Sequence, residues 1–460
     1  MGDPVSNGTS RGVVLLVTTM ASFLFPFMGS AVNIALPALG KELSLDAVML
    51  GWIATSYLLS SATFLVPFGR IADIYGRKKI FNLGIAIFTV SSFLCGIATS
   101  AAMLISFRVL QGIGGAMLAG TAVALVTTVF PANQRGRVLG INVAATYIGL
   151  SIGPVLGGVL TQNFGWQSIF YLSGLLGLVV IGVVLWKLKG EWTGAKGEKF
   201  DHAGSVIYIV GLVALVYGFT VLPAISGVWL IVGGIIGLAA FIWWEMRTRS
   251  PVLDISLFRN SRPFTFSNLA ALINYSATYA VSFLISLYLQ YLKGFNPETA
   301  GLILVAMPAM QAIFSPLAGR LSDRIEPRLI ASAGMALTTI GLVIFIFVNK
   351  ETALQFIIGN LVLIGFGFAL FSSPNTNAVM SSAPKMAYGV ASATLATMRQ
   401  VGMVFSMGLA MLMFALYIGR VEITPEYYPL FQESMRMSFI IFAVLCFGGI
   451  FASLARGKVR

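Results

Sequence analysis

Long apolar runs, each close to the length of a bilayer crossing, alternate with short polar breaks along the whole sequence. A helix crossing a hydrocarbon core about 30 Å thick takes about 20 mainly apolar residues. Runs of that size fall at about 12–36, 48–68, 80–98, 103–130, 138–161 and 169–186. Two more lie at about 204–222 and 228–246, and six at about 264–291, 300–317, 329–348, 354–380, 388–418 and 435–453. The pattern predicts an all-α integral membrane protein with fourteen transmembrane helices.

Composition sharpens this reading by exclusion. Apolar residues make up 57% of the chain and charged ones 10%, against about 25% charged in soluble domains. A soluble enzyme, a disordered chain and a nucleic-acid binder are ruled out, and the net charge of +13 belongs to loops. The first run, Gly12 to Leu36, has no small-residue cleavage site after it and reads as a retained span. Cys95 and Cys446 each lie inside an apolar run, so neither a disulfide framework nor a metal site is expected. The only histidine, His202, precedes span 7, and no proton relay is assigned to it.

Orientation follows from the short loops. Of the 29 Lys and Arg, only Lys41, Lys293, Lys350, Arg420 and Arg436 fall on one side, and Arg108 and Arg399 lie within spans. The rest, among them Arg249, Lys385, Lys458 and Arg460, share the side of the two termini. Both termini are therefore expected in the cytosol of a cell-membrane protein. The Asn7-Gly8-Thr9 sequon falls on that side and is not expected to be used. The loop 247–263 mixes Leu253, Ile255, Leu257 and Phe258 with basic residues, the pattern of a short interfacial segment.

A repeat sets the domain plan. The loop after span 2 reads Gly69-Arg70-Ile71-Ala72-Asp73-Ile74-Tyr75-Gly76-Arg77-Lys78-Lys79. The loop after span 10 reads Gly319-Arg320-Leu321-Ser322-Asp323-Arg324, with the same Gly-Arg-apolar-small-Asp core. Two six-helix halves, residues 1–190 and 264–460, are thus expected around a two-helix insert at 191–263. Duplicated halves imply a substrate path between them and alternating access by rocking.

These residues resemble the major facilitator superfamily, and within it the fourteen-span drug:proton antiporter branch. The loop 69–79 is similar to the superfamily's cytosolic signature, with Ile71 in place of Leu. In span 4, Arg108-Val109-Leu110-Gln111-Gly112-Ile113-Gly114 resembles a second signature. In span 5, Gly140, Gly149, Gly153-Pro154 and Gly157-Gly158 match the exporter signature at every fixed position. The resemblance implies that Gly69, Asp73, Gly76 and Arg77 latch one conformer, with the two glycines permitting close approach. Gly319 and Asp323 form a weaker copy. Physically, Asp73 can accept charge-assisted hydrogen bonds from Arg77. The resemblance makes Gly149, Gly153, Pro154, Gly157 and Gly158 a packing surface between the halves that gates export. Bare glycines allow a helix to approach and slide, and the proline bends its own helix.

Charge inside the spans is costly, about 2.5–3.5 kcal/mol for a central Arg, so such residues usually face a cavity or a partner. Arg108 lies about 8 Å from its span end at about 1.5 Å per residue, and can serve a cavity or snorkel. Arg399 lies about 16 Å deep on the same rise, too far to snorkel, and is expected in a substrate cavity. Neutral polar residues complete the expected lining: Asn33, Asn142, Tyr147, Asn274, Tyr275, Gln311, Asn375 and Asn377.

The chain departs from the branch in one respect. The motif Asn33-Ile34-Ala35-Leu36-Pro37 is present, but the span 1 position that carries Asp in cation-exporting relatives is Met28. With no carboxylate deep in a span, the cavity is expected to be neutral to positive and the cargo neutral, zwitterionic or anionic. Proton coupling would fall to Glu298, Glu42 or Asp46 at the outer mouth. The reading is a secondary-active exporter of drug-like or lipid-like amphiphiles, not an enzyme, with no catalytic residues, cofactor or metal. An uncoupled facilitator or lipid flippase, and a non-transporting receptor or scaffold, are the alternatives. The expected partners are a small amphiphile, membrane lipid and protons; no nucleic acid is expected, and the chain is expected to be a monomer.

Overall fold

The computed structural model describes residues 11–248, 250–253, 255–384 and 388–457. The sequon, Arg249, Lys385, Lys458 and Arg460 lie outside the described residues. Among the described residues, fourteen spans are long and apolar enough to cross a membrane. The first six are α1 (Arg11–Leu43), α2 (Ala47–Tyr75), α3 (Arg77–Gly96), α4 (Ala101–Val129), α5 (Ala132–Phe164) and α6 (Gln167–Lys187). Then come α7 (His202–Val221), α8 (Ile225–Glu245) and the short α9 (Ser256–Asn260), into which part of the loop 247–263 folds. The last group is α10 (Arg262–Leu287), α11 (Pro297–Leu304), α12 (Ala306–Ser322), α13 (Pro327–Ile346), α14 (Leu354–Ser381), α15 (Tyr388–Tyr417) and α16 (Tyr428–Ala455). Helices α11 and α12 together make one span.

Several helices outrun the apolar runs that announce them. Helix α1 continues past Pro37 through Lys41 and Glu42, and α16 starts at Tyr428, ahead of the expected 435. Polar residues end an apolar run but not a helix. In the first turns of α16, Glu433 and Arg436 pair along the helix surface at 3.7 Å.

The repeat read from two loops is a repeat in space. In the first half α1 packs on α5, α2 and α3 on α4, and α3 on α6. In the second, α10 packs on α15, α12 and α13 on α14, and α13 on α16, the same pairs in the same order. The halves meet along α2 with α15 and α5 with α11, again a symmetric pair, and along α1 with α10. The chain is therefore two six-helix halves with a two-helix insert. Helix α7 rests on α2 and α15, and the Tyr208 hydroxyl donates to the Ala62 carbonyl at 3.0 Å. Helix α8 packs on α7 and leaves most of its apolar surface exposed, while Glu245 at its end is buried and accepts from the Leu253 N–H at 2.8 Å. The helix is a lipid-facing element.

Candidate functional site

Helices α1 and α5 run side by side in the same direction, with Thr19 bonded to Asn142 and Thr146 to the Ser22 carbonyl. Arg262 at the start of α10 donates to Ala455 at the end of α16, and α1 runs parallel to α10, so the start of α1 and the end of α16 share one end of the bundle. A cavity of about 440 Å³ lies on the seam between the halves. Its lining runs from mid-bundle, at Asn33, Pro154, Ser282 and Leu304, toward the end that carries the start of α1 and the end of α16, at Ala21, Leu139, Met380 and Ser392.

The far end of the seam is closed. Pro37 lacks the N–H that would bond the Asn33 carbonyl one turn back in α1. The Ser286 hydroxyl of α10 donates to that carbonyl at 2.9 Å. Gln290, in the π-helical turn Tyr288–Leu292, donates to the Ile34 carbonyl at 3.0 Å. Beside them, Gly158 of α5 and Gly301 of α11 have opposing backbone where a side chain would stand. The Ala47 N–H meets the Val421 carbonyl at 3.0 Å. The molecule is thus sealed at one end and hollow toward the other.

Most of the lining is apolar, including Phe25, Met307, Phe368 and Met403. Five of the residues expected to bind cargo line it: Asn33, Tyr147, Tyr275, Gln311 and Arg399, joined by Asn142. Among the described lining residues Arg399 is the only charged one. Its Nη2 donates to the Thr376 hydroxyl at 2.5 Å, the guanidinium lies 5.6 Å from the Tyr275 ring centre, and its Nε has no partner. Tyr147 and Ser372 share a hydrogen bond of 3.2 Å across the seam. Gly402, one turn after Arg399, has the Leu272 carbonyl 2.6 Å from where its Cβ would lie, so α15 and α10 pack backbone to backbone.

The other expected residues lie elsewhere. Asn375 does not line the cavity; it donates to the Ser267 carbonyl at 3.1 Å and ties α14 to α10. Asn274 is fully buried beside the lining face of α10, not on it. Asn377 bonds Ser322 at 2.9 Å and Asp323 at 3.2 Å near the end of α12. Met28 faces α6, where the Ser173 hydroxyl donates to its sulfur at 3.2 Å.

Arg108 neither snorkels nor lines the cavity. It is 0% exposed, donating from Nε to the Ile53 carbonyl at 3.1 Å and from Nη1 to Gln111 at 2.6 Å. Gln111 passes the chain on to Ser92 at 2.8 Å. The guanidinium lies 4.3 Å from the centre of the Tyr57 ring, and that ring forms part of the cavity wall. Tyr57, Thr278, Tyr279, Ser282 and Thr376 are lining residues that sequence reasoning missed. The signal was available: Tyr275, Thr278, Tyr279 and Ser282 recur at the spacing of one helix face.

The signature loop is held by its own side chains and by the linker that follows α6. Arg77 grips Asp73 with Nε and Nη2, each at 2.7 Å, and also donates to the Ala124 carbonyl at 3.1 Å. Gly76 has φ of +130°, and a Cβ there would meet the Glu191 carboxylate at 2.6 Å. That carboxylate accepts from the N–H groups of Lys78 at 2.8 Å and Lys79 at 3.2 Å, capping α3 from the linker after α6. The linker continues the grip: Gly194 and Ala195 donate to the Asp73 carbonyl, Trp192 accepts from the Arg77 N–H, and Glu198 pairs with Arg70. A Cβ on Gly69 would meet nothing within 4 Å, while the Gly69 backbone itself lies 3.4 Å from where a Gly120 Cβ would stand, so α2 and α4 approach closely at that point. Gly319 does face a neighbour, Ser373, at 2.7 Å from its would-be Cβ, and Asp323 accepts from Asn377.

The glycines of α5 divide between two partners. Gly149, Gly153 and Gly157 face α1 of their own half; a Cβ at Gly149 would stand 2.6 Å from the Phe23 carbonyl, and one at Gly157 2.8 Å from Ala31. Only Gly158 and the Pro154 carbonyl meet α11 of the other half. The stripe is therefore mainly a seam within one half, because α5 presents most of its small residues to α1. Of the acidic candidates, Glu42 accepts from Trp166 at 2.9 Å and Gln167 at 3.0 Å, and Asp46 caps α2 through the Met49 N–H at 2.7 Å. Glu298 lies in the first turn of α11, its Cα 2.9 Å from where a Gly158 Cβ would be. His202 is exposed, its ring 4.8 Å from that of Phe200.

Two repeated helical halves with an apolar cavity on the seam, closed at one end, are the build of a multi-pass membrane transporter. The chain belongs to the major facilitator superfamily, whose family model matches residues 18–265 and 267–458. The multidrug resistance protein Stp of Mycobacterium tuberculosis is 33% identical over 85% of this chain and 73% of its own length. The riboflavin transporter RibZ of Clostridioides difficile is 30% identical over 87% of both chains. In fold the chain is similar to a bacterial homologue of the lysosomal transporter Spinster in an inward-facing, unoccupied conformation. That match has a TM-score of 0.67 and 17% identity, over 99% of this chain and 98% of that one.

Proposed function

We propose that the chain exports small amphiphilic organic molecules from the cytosol across the cell membrane by alternating access, driven by proton entry. The observation that carries this reading is the cavity of about 440 Å³ on the seam, sealed at one end by α1–α10 and α5–α11 contacts. The Lys and Arg bias supports a cytosolic hollow end, which would make this the conformation in which an exporter loads. Met, Phe and Leu walls with a few polar groups suit cargoes that share amphiphilicity more than shape. The relative named for multidrug resistance supports the same cargo class.

In this reading residues 1–190 and 264–460 move as two bodies and the insert rides with them, in a monomer surrounded by lipid. Of the three outer carboxylates, Glu42 and Asp46 are engaged in holding helix ends. Glu298 is the coupling group we favour, because it lies where α11 must part from α5. The test is proton flux into proteoliposomes that hold a trapped pH dye, with cationic, neutral and anionic amphiphiles added in turn. Cargo-triggered proton movement that is lost in Glu298→Gln supports the proposal. Movement of cargo without protons would leave an uncoupled facilitator, and movement of neither would end the exporter reading.

A further inference from the structure

We propose that Arg399, Thr376, Tyr275 and Tyr147 form a subsite for one anionic group, so that the favoured cargo is a monoanionic aromatic amphiphile; this deepens the exporter reading and rests on it. The argument begins with unmet hydrogen bonds. A guanidinium carries five N–H donors and no acceptor. In Arg399 one goes to the Thr376 hydroxyl at 2.5 Å, and the buried Nε has no partner. The Thr376 hydroxyl itself donates to the Ser372 carbonyl at 2.8 Å, which leaves its oxygen free to accept from the guanidinium.

No carboxylate compensates the charge: among the described lining residues Arg399 is the only ionised group, and the Tyr275 ring face is its nearest relief. A lone cation on an apolar wall is held at a cost that an arriving anion removes. A carboxylate or phosphate fits best, because two oxygens can take two parallel N–H bonds. An organic cation would meet like charge instead. A single positive group sets the complementary ligand charge at one.

Tyr147 adds the link between halves. It stands on α5 of the first half, its hydroxyl 3.2 Å from Ser372, which lies one turn before Thr376 on α14. Tyr275, whose ring centre lies 5.6 Å from the Arg399 guanidinium, lines the same cavity as Tyr147. An acid group on Arg399 can draw the Tyr147 hydroxyl away from Ser372 and so couple cargo to the seam. Phe368 and Met403 are left to cover its aromatic body.

The test uses the purified full chain in an uncharged detergent and two probes of matched shape, 1-pyrenebutyric acid and its primary amide. The acid should bind about tenfold more tightly than the amide, the effect of about 1.4 kcal/mol. Arg399→Gln should erase that difference, and monodispersity after heating in detergent close to that of the wild type shows that the variant folds. Arg399→Lys should keep part of it, and Thr376→Val should shrink it about threefold, the scale of one hydrogen bond. Displacement of the acid by phosphatidylglycerol but not phosphatidylcholine would make the natural anion a lipid headgroup; displacement by neither makes it a free acid. Equal binding of acid and amide, or a preference that survives Arg399→Gln, overturns the subsite. Acid binding with no movement of either probe through proteoliposomes would instead retain the subsite and remove the exporter reading.

Discussion

Arg108 and Arg399 both lie within the membrane spans, and their surroundings are opposites. Arg108 is closed off from the cavity by Tyr57 and spends its donors on Ile53 and Gln111. Arg399 stands in the cavity wall with one hydroxyl partner and a donor unused. Depth alone therefore does not tell a structural cation from a binding one. What separates them is whether the protein itself supplies the acceptors. Where it does, the arginine pins α4 to α2. Where it does not, the acceptor is left for something that comes and goes.

The largest expected effect breaks the comparison at Arg108. Replacing it with Ala leaves the buried Gln111 Oε1 without its donor and opens a cavity beside Tyr57, a loss of about 3 kcal/mol or more. Arg108→Ala should aggregate at markedly lower temperature than the wild type, read as monodisperse protein after heating in detergent. Arg399→Ala should melt within about 1 kcal/mol of the wild type, since its charge is poorly compensated to begin with. If the two variants lose stability equally, the contrast between them is wrong.

A smaller effect belongs to the closed end. Ser286 and Gln290 hold α10 to α1 through carbonyls near Pro37, and each neutral hydrogen bond is worth about 1 kcal/mol. Ser286→Ala together with Gln290→Ala should favour the conformer open at that end about tenfold or more, by the usual 1.4 kcal/mol per decade. The check is labelling of a cysteine placed at Ser30 by a membrane-impermeant thiol reagent, since Cys95 and Cys446 are both buried and stay silent. Unchanged labelling would show that the seal is carried by the α5–α11 backbone contacts instead.

How much was legible in the sequence follows from periodicity. Span number and the repeat were readable because run length and a loop motif are one-dimensional signals. Facing is harder, because a helix turns about 100° per residue and an apolar span is buried or greasy all round. Asn274 and Asn375 miss the cavity by one residue, whereas Tyr275 and Thr376 line it. Met28 misses for the same reason, since Gly29 and Asn33 hold the lining face of α1. The glycine stripe of α5 was plain, yet nothing local says that α1 and not the other half lies against most of it. The linker grip on the signature loop was illegible, because backbone groups make much of it.

That grip supplies the smallest and most specific prediction. Glu191 accepts two N–H groups at the start of α3, where unpaired donors and the helix dipole favour a carboxylate. Glu191→Gln keeps an acceptor but removes the charge, and should cost about 0.5–1 kcal/mol. Glu191→Ala removes both and should cost about 1–2 kcal/mol. The two variants should differ in the protease sensitivity of residues 188–200, with Ala cleaved faster than Gln and both faster than the wild type. If cleavage is the same in all three, the linker is held by its peptide bonds to Asp73 and Arg77 alone, and Glu191 only fills the space that Gly76 leaves. A Gly76→Ala variant separates those cases. It strains the positive φ and crowds the carboxylate, so it should loosen the linker in the wild type and do less once Glu191 has been cut back to Ala.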